Sequence, residues 1–167
     1  MKIVYVLIII LWSFPAIGQD IDMTPRGFAP ATFNKPAKTD EKIIEAARSW
    51  AISANSDNPF PYDVYDVTAT SFKIDAHRRN AFYYRNRGEA VFHRIKYTID
   101  VNLAEKTYTL TFSIKEIYTS DRLTELTIVD FYAPDGRLKD DYIDVEPSLE
   151  KTVNNIIRSF TSYIQSN

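Results

Sequence analysis

Cysteine is absent from this 167-residue chain, glycine occurs four times and histidine twice. Without cysteine there are no disulfides, thiolate nucleophiles or Cys-ligated metals, so packing alone must hold the fold. Scarce glycine argues against Gly-rich phosphate loops. His77 and His93 are the only imidazoles. Their spacing gives neither a His-x-His pair nor a helical pair, so no metal is expected. Asp135-Gly136 and the acidic stretch Asp140, Asp141, Asp144 and Glu146 lack the ligand alternation of a calcium loop and read as solvated loops. A Gly-x-Ser-x-Gly elbow and a His-Glu-x-x-His helix are also missing. The expectation is a protein that is not an enzyme, with no catalytic residue and no cofactor. Excess charge is lacking too: the net charge of -2 points to no polyanionic partner, so no nucleic acid is expected.

What the chain does have is an apolar N-terminal run. Lys2, the stretch Ile3 to Phe14, and Ala16-x-Gly18 follow the order of a secretory signal peptide, and the run is too short for a bilayer span of about 20 apolar residues. A lipoprotein signal would need a cysteine, and an anchor a longer span. The expected leader is therefore 1–18, with a mature chain starting at Gln19, exported to the periplasm or secreted, and with no stable membrane span after cleavage. Residues 19–38, punctuated by Pro25, Gly27, Pro30 and Pro36, read as a linker or extended arm. Residues 39–167 read as a single α+β domain.

Within that domain the hydrophobic period changes twice. Ile43, Ala47, Trp50, Ala51 and Ala54 lie on one face of a helix over about Asp40 to Ala54, with Thr39 or Asp40 as its cap. From Tyr62 to Tyr132 the period is two. Ile95, Tyr97, Ile99, Val101 and Leu103 alternate with polar residues, as do Tyr108, Leu110, Phe112 and Ile114, which predicts an antiparallel hairpin around Ala104-Glu105-Lys106. Further strands are expected at Tyr65 to Ala69, Ser71 to Ala76, Ala81 to Arg87 and Glu125 to Tyr132, with Arg78-Arg79-Asn80 a polar turn and Ala133 to Gly136 another. Leu149, Val153, Ile156, Ile157, Phe160 and Ile164 form the stripe of a closing helix from Pro147 to Gln165, with Pro147 at its first position. The predicted fold is an antiparallel sheet of four to six strands with an N-terminal and a C-terminal helix on one face.

In layout the chain resembles a family of secreted bacterial domains of uncharacterised function with a TBP-like, helix-grip-like fold. The likeness rests on Ala47-Arg48-Ser49-Trp50 in the first helix, on the paired strands with Lys96 to Val101 and Lys106 to Thr111, and on Ser159-Phe160 in the last. It covers about Thr39 to Ile164. The family carries a glycine near its second strand, whereas Phe72 to Ala76 has none. The resemblance implies a fold and no activity, and the TBP-like label is no evidence for DNA binding.

Between Ala76 and Lys96, basic residues interleave with Phe82, Tyr83, Tyr84 and Phe92, and Glu89 is the only acid. Such a stretch is either an anion-binding face or the wet side of alternating strands, and alternation favours the second. The expected function is a non-catalytic interaction module of the cell envelope that meets an envelope protein or a glycan. The candidate contacts are Lys96, Thr98, Thr109 and Thr111 on the wet hairpin face, with Arg85 and Arg87 beside them. The alternative is a carrier holding a small apolar ligand between sheet and helices.

Overall fold

The structure is a computed structural model that describes residues 20–167; the expected leader and Gln19 lie outside the described residues. The strands are β1 (Met23–Thr24), β2 (Gly27–Phe28), β3 (Ala31–Asn34), β4 (Asp63–Tyr65), β5 (Ser71–Asn86), β6 (Glu89–Leu103), β7 (Thr107–Thr119) and β8 (Arg122–Leu123). The helices are α1 (Asp40–Ala54) and α2 (Val145–Ser166). An antiparallel sheet of six strands runs β3-β7-β6-β5-β4, with β8 added to the far end of β7. Both helices cover one face, as the two amphipathic stripes require.

α1 forms as its sequence prescribes: the Thr39 hydroxyl accepts from Lys42 N–H, and Asp40 and Glu41 occupy the positive end. Ile43, Ala47, Trp50 and Ala51 are buried, while Ala54 is exposed because the helix has already left the sheet. All six apolar positions of the α2 stripe are buried. Trp50 meets Phe160 edge-to-face at 5.1 Å, and its indole N–H donates to Ser159 Oγ at 3.1 Å, which closes α1 against α2. Pro147 is the third helical residue, not the first; the cap is Asp144, and the first turn still needs no amide there.

The predicted hairpin pairs Leu103 with Tyr108 and turns at Ala104-Glu105-Lys106, where Ala104 N–H donates to Thr107. The strands expected at Ser71 to Ala76 and Ala81 to Arg87 are one strand. Arg78-Arg79-Asn80 is a β-bulge inside it rather than a turn, with Asn80 at φ +49°. The turn that ends β5 is at Arg87-Gly88, both with positive φ, the two-residue geometry that suits a hairpin. Tyr65 to Ala69 gives only the end of β4, and Glu125 to Tyr132 gives no strand. A capping pair between Thr127 and Asp130 closes Ile128–Phe131 into a short 3-10 turn instead.

Residues 20–38 are integral to the domain, which corrects the linker reading. Ile21, Met23, Phe28 and Ala31 are buried, and β3 is an edge strand of the sheet. Asn154 of α2, itself buried, accepts from Ile21 N–H at 2.8 Å and donates to Ile21 C=O at 3.0 Å. Glu150 accepts from Met23 N–H at 2.7 Å. Proline spacing concealed these contacts, because an extended segment can find its partners on another element.

Candidate functional site

The pleat fixes which side chains the helices leave uncovered. Along β6 the odd-numbered residues from His93 to Leu103 enter the helix side and the even-numbered ones from Phe92 to Asn102 stand on the open side. Register then assembles cross-strand rows: Asn102 beside Ser71 and Thr109, Asp100 beside Lys73 and Thr111, Thr98 beside Asp75 and Ser113, Lys96 beside His77 and Glu116, and Arg94 beside Tyr118.

These rows are hydrogen-bonded rather than loosely solvated. Thr98 and Tyr65 hydroxyls both donate to Asp75 Oδ1, at 2.5 and 3.0 Å. Lys96 Nζ reaches Glu116 at 3.5 Å, and the Tyr118 hydroxyl donates to the same carboxylate. That hydroxyl, then the Lys96 ammonium, hold Glu116 below the usual carboxylate range. One row further on, the Arg94 guanidinium lies between two rings, 3.8 Å from Phe60 and 3.7 Å from Tyr118. It donates to His77 Nδ1 at 2.8 Å and to Asp121 at 3.3 Å. Burial, and after it the neighbouring Arg94 charge, lower the pKa of His77. Sequence reading missed this stack. Phe60 comes from the segment between α1 and β4, where Pro59 and Pro61 flank it and Asn58 ties the segment to His77 C=O at 2.7 Å.

The predicted contact residues separate into two places. Lys96, Thr98, Thr109 and Thr111 share the open face as expected. Thr98 is buried beneath its neighbours, and Thr109 pairs with Thr32 of β3 at 3.3 Å. Arg85 and Arg87 stand apart, at the tip of the β5–β6 hairpin, where Arg85 reaches Asp144 at 3.2 Å. Arg78 and Arg79 go elsewhere again, to a cleft of about 420 Å³ at the C-terminal end of α1. The basic stretch therefore serves three surfaces and forms no single anion-binding face.

Neither histidine is set up as a general base with a carboxylate. His77 bonds to a guanidinium, and His93 bonds through Nδ1 to the Thr119 hydroxyl at 2.9 Å. Ser148 and Lys151 have Ser-x-x-Lys spacing at the start of α2. The Ser148 hydroxyl donates to the Asp144 carbonyl at 2.5 Å, the role of a residue that closes a helical turn. Among the described residues no group of three or more His, Asp or Glu side chains could hold a metal ion, and no helix is long and apolar enough to cross a membrane.

A one-sided antiparallel sheet closed by an N-terminal and a C-terminal helix is the architecture of TBP-like α+β domains. Two solved structures share it. One is a TBP-like protein from Parabacteroides distasonis ATCC 8503, 13% identical with a TM-score of 0.53, the match covering 83% of this chain and 92% of that one. The other is a DUF4468 family protein from Bacteroides ovatus ATCC 8483, 9% identical with a TM-score of 0.52, covering 83% and 85%. At such identities the likeness carries the fold alone. No protein-family model and no curated protein matches the chain.

Proposed function

We propose that this domain is an exported, non-catalytic interaction module that receives an envelope protein on the open face of its sheet. The observation that carries the reading is the set of ordered polar rows from Asn102 to Arg94, on a face with no helix over it. Their side chains are already fixed by mutual hydrogen bonds, so a partner would pay little ordering entropy on contact. Charges of both signs interleave there, with Lys73 and Lys96 close to Asp100 and Glu116, a pattern suited to the polar rim of a protein interface. The exposed Phe92 at the end of the face supplies an apolar anchor.

Two observations bear on the competing ideas. The space between sheet and helices is filled by Phe72, Phe112 and Phe160, and the adjoining cleft is lined mainly by polar side chains, which does not suit an apolar cargo. Export is favoured by the order of Lys2, the apolar run Ile3 to Phe14 and Ala16-x-Gly18, which is that of a secretory signal peptide.

Photo-crosslinkers placed in living cells at Thr109, Thr111 and Lys73 test the module, with Arg48 and Lys151 on the outer helix surfaces as controls. Discrete adducts from the sheet positions alone are expected, in a fraction where the protein begins at Gln19. Equal labelling from the helix positions, or none from the sheet, would sink the interface; an intact leader on cytosolic protein would sink export.

A further inference from the structure

The cleft at the C-terminal end of α1 has no part in the open-face reading. It is lined by Trp50 and Asn55 of α1 and its cap, Asn58 of the following loop, Arg78 and Arg79 of β5, Tyr97 of β6, and Asn155 and Ser159 of α2. The β5 bulge is what brings two consecutive arginines to it. In a regular strand they would point to opposite faces. Both are exposed, and neither makes an ion pair or a side-chain hydrogen bond among the described residues. Arg26, Arg48, Arg87 and Arg122 are likewise unpaired among the described residues, so what sets Arg78 and Arg79 apart is that both line one cleft.

The lining carries a second signal. Tyr97 is 4% exposed, its ring is stacked on Phe112 at 4.9 Å, and its hydroxyl has no hydrogen-bond partner among the described residues. The ring is buried and the hydroxyl is an unpaired donor in the cleft wall. Ser159 Oγ, which already accepts from Trp50, retains its own proton to donate. The single acid in the lining is Asp57.

We propose that this cleft binds a small polar molecule through an oxyanion group, a phosphate or a carboxylate, held by Arg78 and Arg79 with Tyr97 and Ser159 as neutral donors. Guanidinium forks match both oxyanions, and the volume suits a ligand of sugar size rather than a polymer. Because Trp50 lines the floor and is the only tryptophan among the described residues, its emission reports occupancy.

The test is calorimetric titration at constant ionic strength, with Trp50 emission followed in parallel. The probes are inorganic phosphate, glucose 6-phosphate, glucuronate and uncharged glucose. Saturable binding of one or more charged probes and none of glucose is expected, and which of them binds separates phosphate from carboxylate. R78Q/R79Q should weaken binding by roughly ten-fold or more. Y97F, which removes one atom from a ring that stays packed, should weaken it less, and R85Q at the hairpin tip should leave it unchanged. Absence of saturation with every charged probe would overturn the proposal, as would equal binding of glucose or undiminished affinity in a folded R78Q/R79Q protein. Arg79 also borders Phe92, Arg94 and Tyr118 at the end of the open face, whereas Arg78 does not, so R78Q alone keeps this outcome distinguishable from the crosslinking one.

Discussion

His93 has no exposed surface, lies between Phe82 and Tyr84 at ring separations of 4.7 and 4.8 Å, and leaves Nε2 without a partner. Only one of its ring nitrogens is satisfied, by Thr119. A second proton would have to be buried with no carboxylate to receive it, and this desolvation lowers the pKa from 6.5 to about 4. The sign follows from linkage: the unfolded chain takes up the proton first, so stability is complete above pH 6.5 and declines as pH falls toward 4. Full protonation would cost about 3 kcal/mol. His77 contributes with the same sign. Denaturant melts between pH 7 and pH 4.5 should show this slope, and H93F, which keeps a ring in the sandwich, should flatten it. A slope unchanged in H93F would place the proton uptake elsewhere.

At the scale of elements, the N-terminal arm is tied to α2 by two side chains, Asn154 at Ile21 and Glu150 at Met23. Asn154 satisfies both backbone groups of Ile21 inside the protein, and an apolar replacement would leave a buried N–H and a buried C=O unpaired. N154A is expected to cost about 2–4 kcal/mol and to open residues 20–30 to proteolysis while α1 and the central hairpin persist. N154D should be intermediate, since it keeps the acceptor and loses the donor. Loss of α1 protection together with the arm would show that the arm does not open separately. The same contact explains what was legible in the sequence. Helices α1 and α2 and the β6–β7 hairpin could be read because each carries its own period over ten residues or more. The arm, the β5 bulge and the Arg94 stack could not, because each depends on a partner far away in the chain: Asn154 for Ile21, Ile95 and His93 for the Arg78-to-Phe82 shift, Phe60 and Tyr118 for Arg94. Four of the six predicted contact residues shared a face because alternation fixes facing; Arg85 and Arg87 fell away because alternation says nothing about distance along a strand.

At the scale of the whole molecule, one sheet supports a single apolar core that contains two groups of aromatic rings. The larger holds Trp50, Phe72 and Phe160 between the helices and the centre of the sheet. The smaller lies under the far end of the β5–β6 hairpin, where Phe82, Tyr84 and His93 meet Phe131 of the Ile128–Phe131 turn and Tyr142 of a second 3-10 turn, Asp140–Tyr142. The bulge at Arg78 to Phe82 marks the boundary between them. Across it the β5 edge has left β4, and its polar links to α2 are the Tyr83 N–H donation to Ser148 Oγ at 3.4 Å, a long bond, and the exposed Arg85 pair with the cap residue Asp144. The smaller group rests on irregular turns with few backbone bonds, the usual mark of a unit that opens below the global free energy. Its one titratable member that burial moves into the accessible range is His93, so acid acts on this unit before the other. Hydrogen exchange at pH 7 should therefore be slowest in Ile95 to Val101, Leu110 and Phe112, and α2 from Leu149 to Phe160. Lowering the pH to 5, after correction for intrinsic rates, should shorten protection at Phe82 to Tyr84 and Phe131 while Trp50 emission stays unchanged. Simultaneous loss at both groups would mean that the bulge does not divide the molecule and that the sheet unfolds as one body.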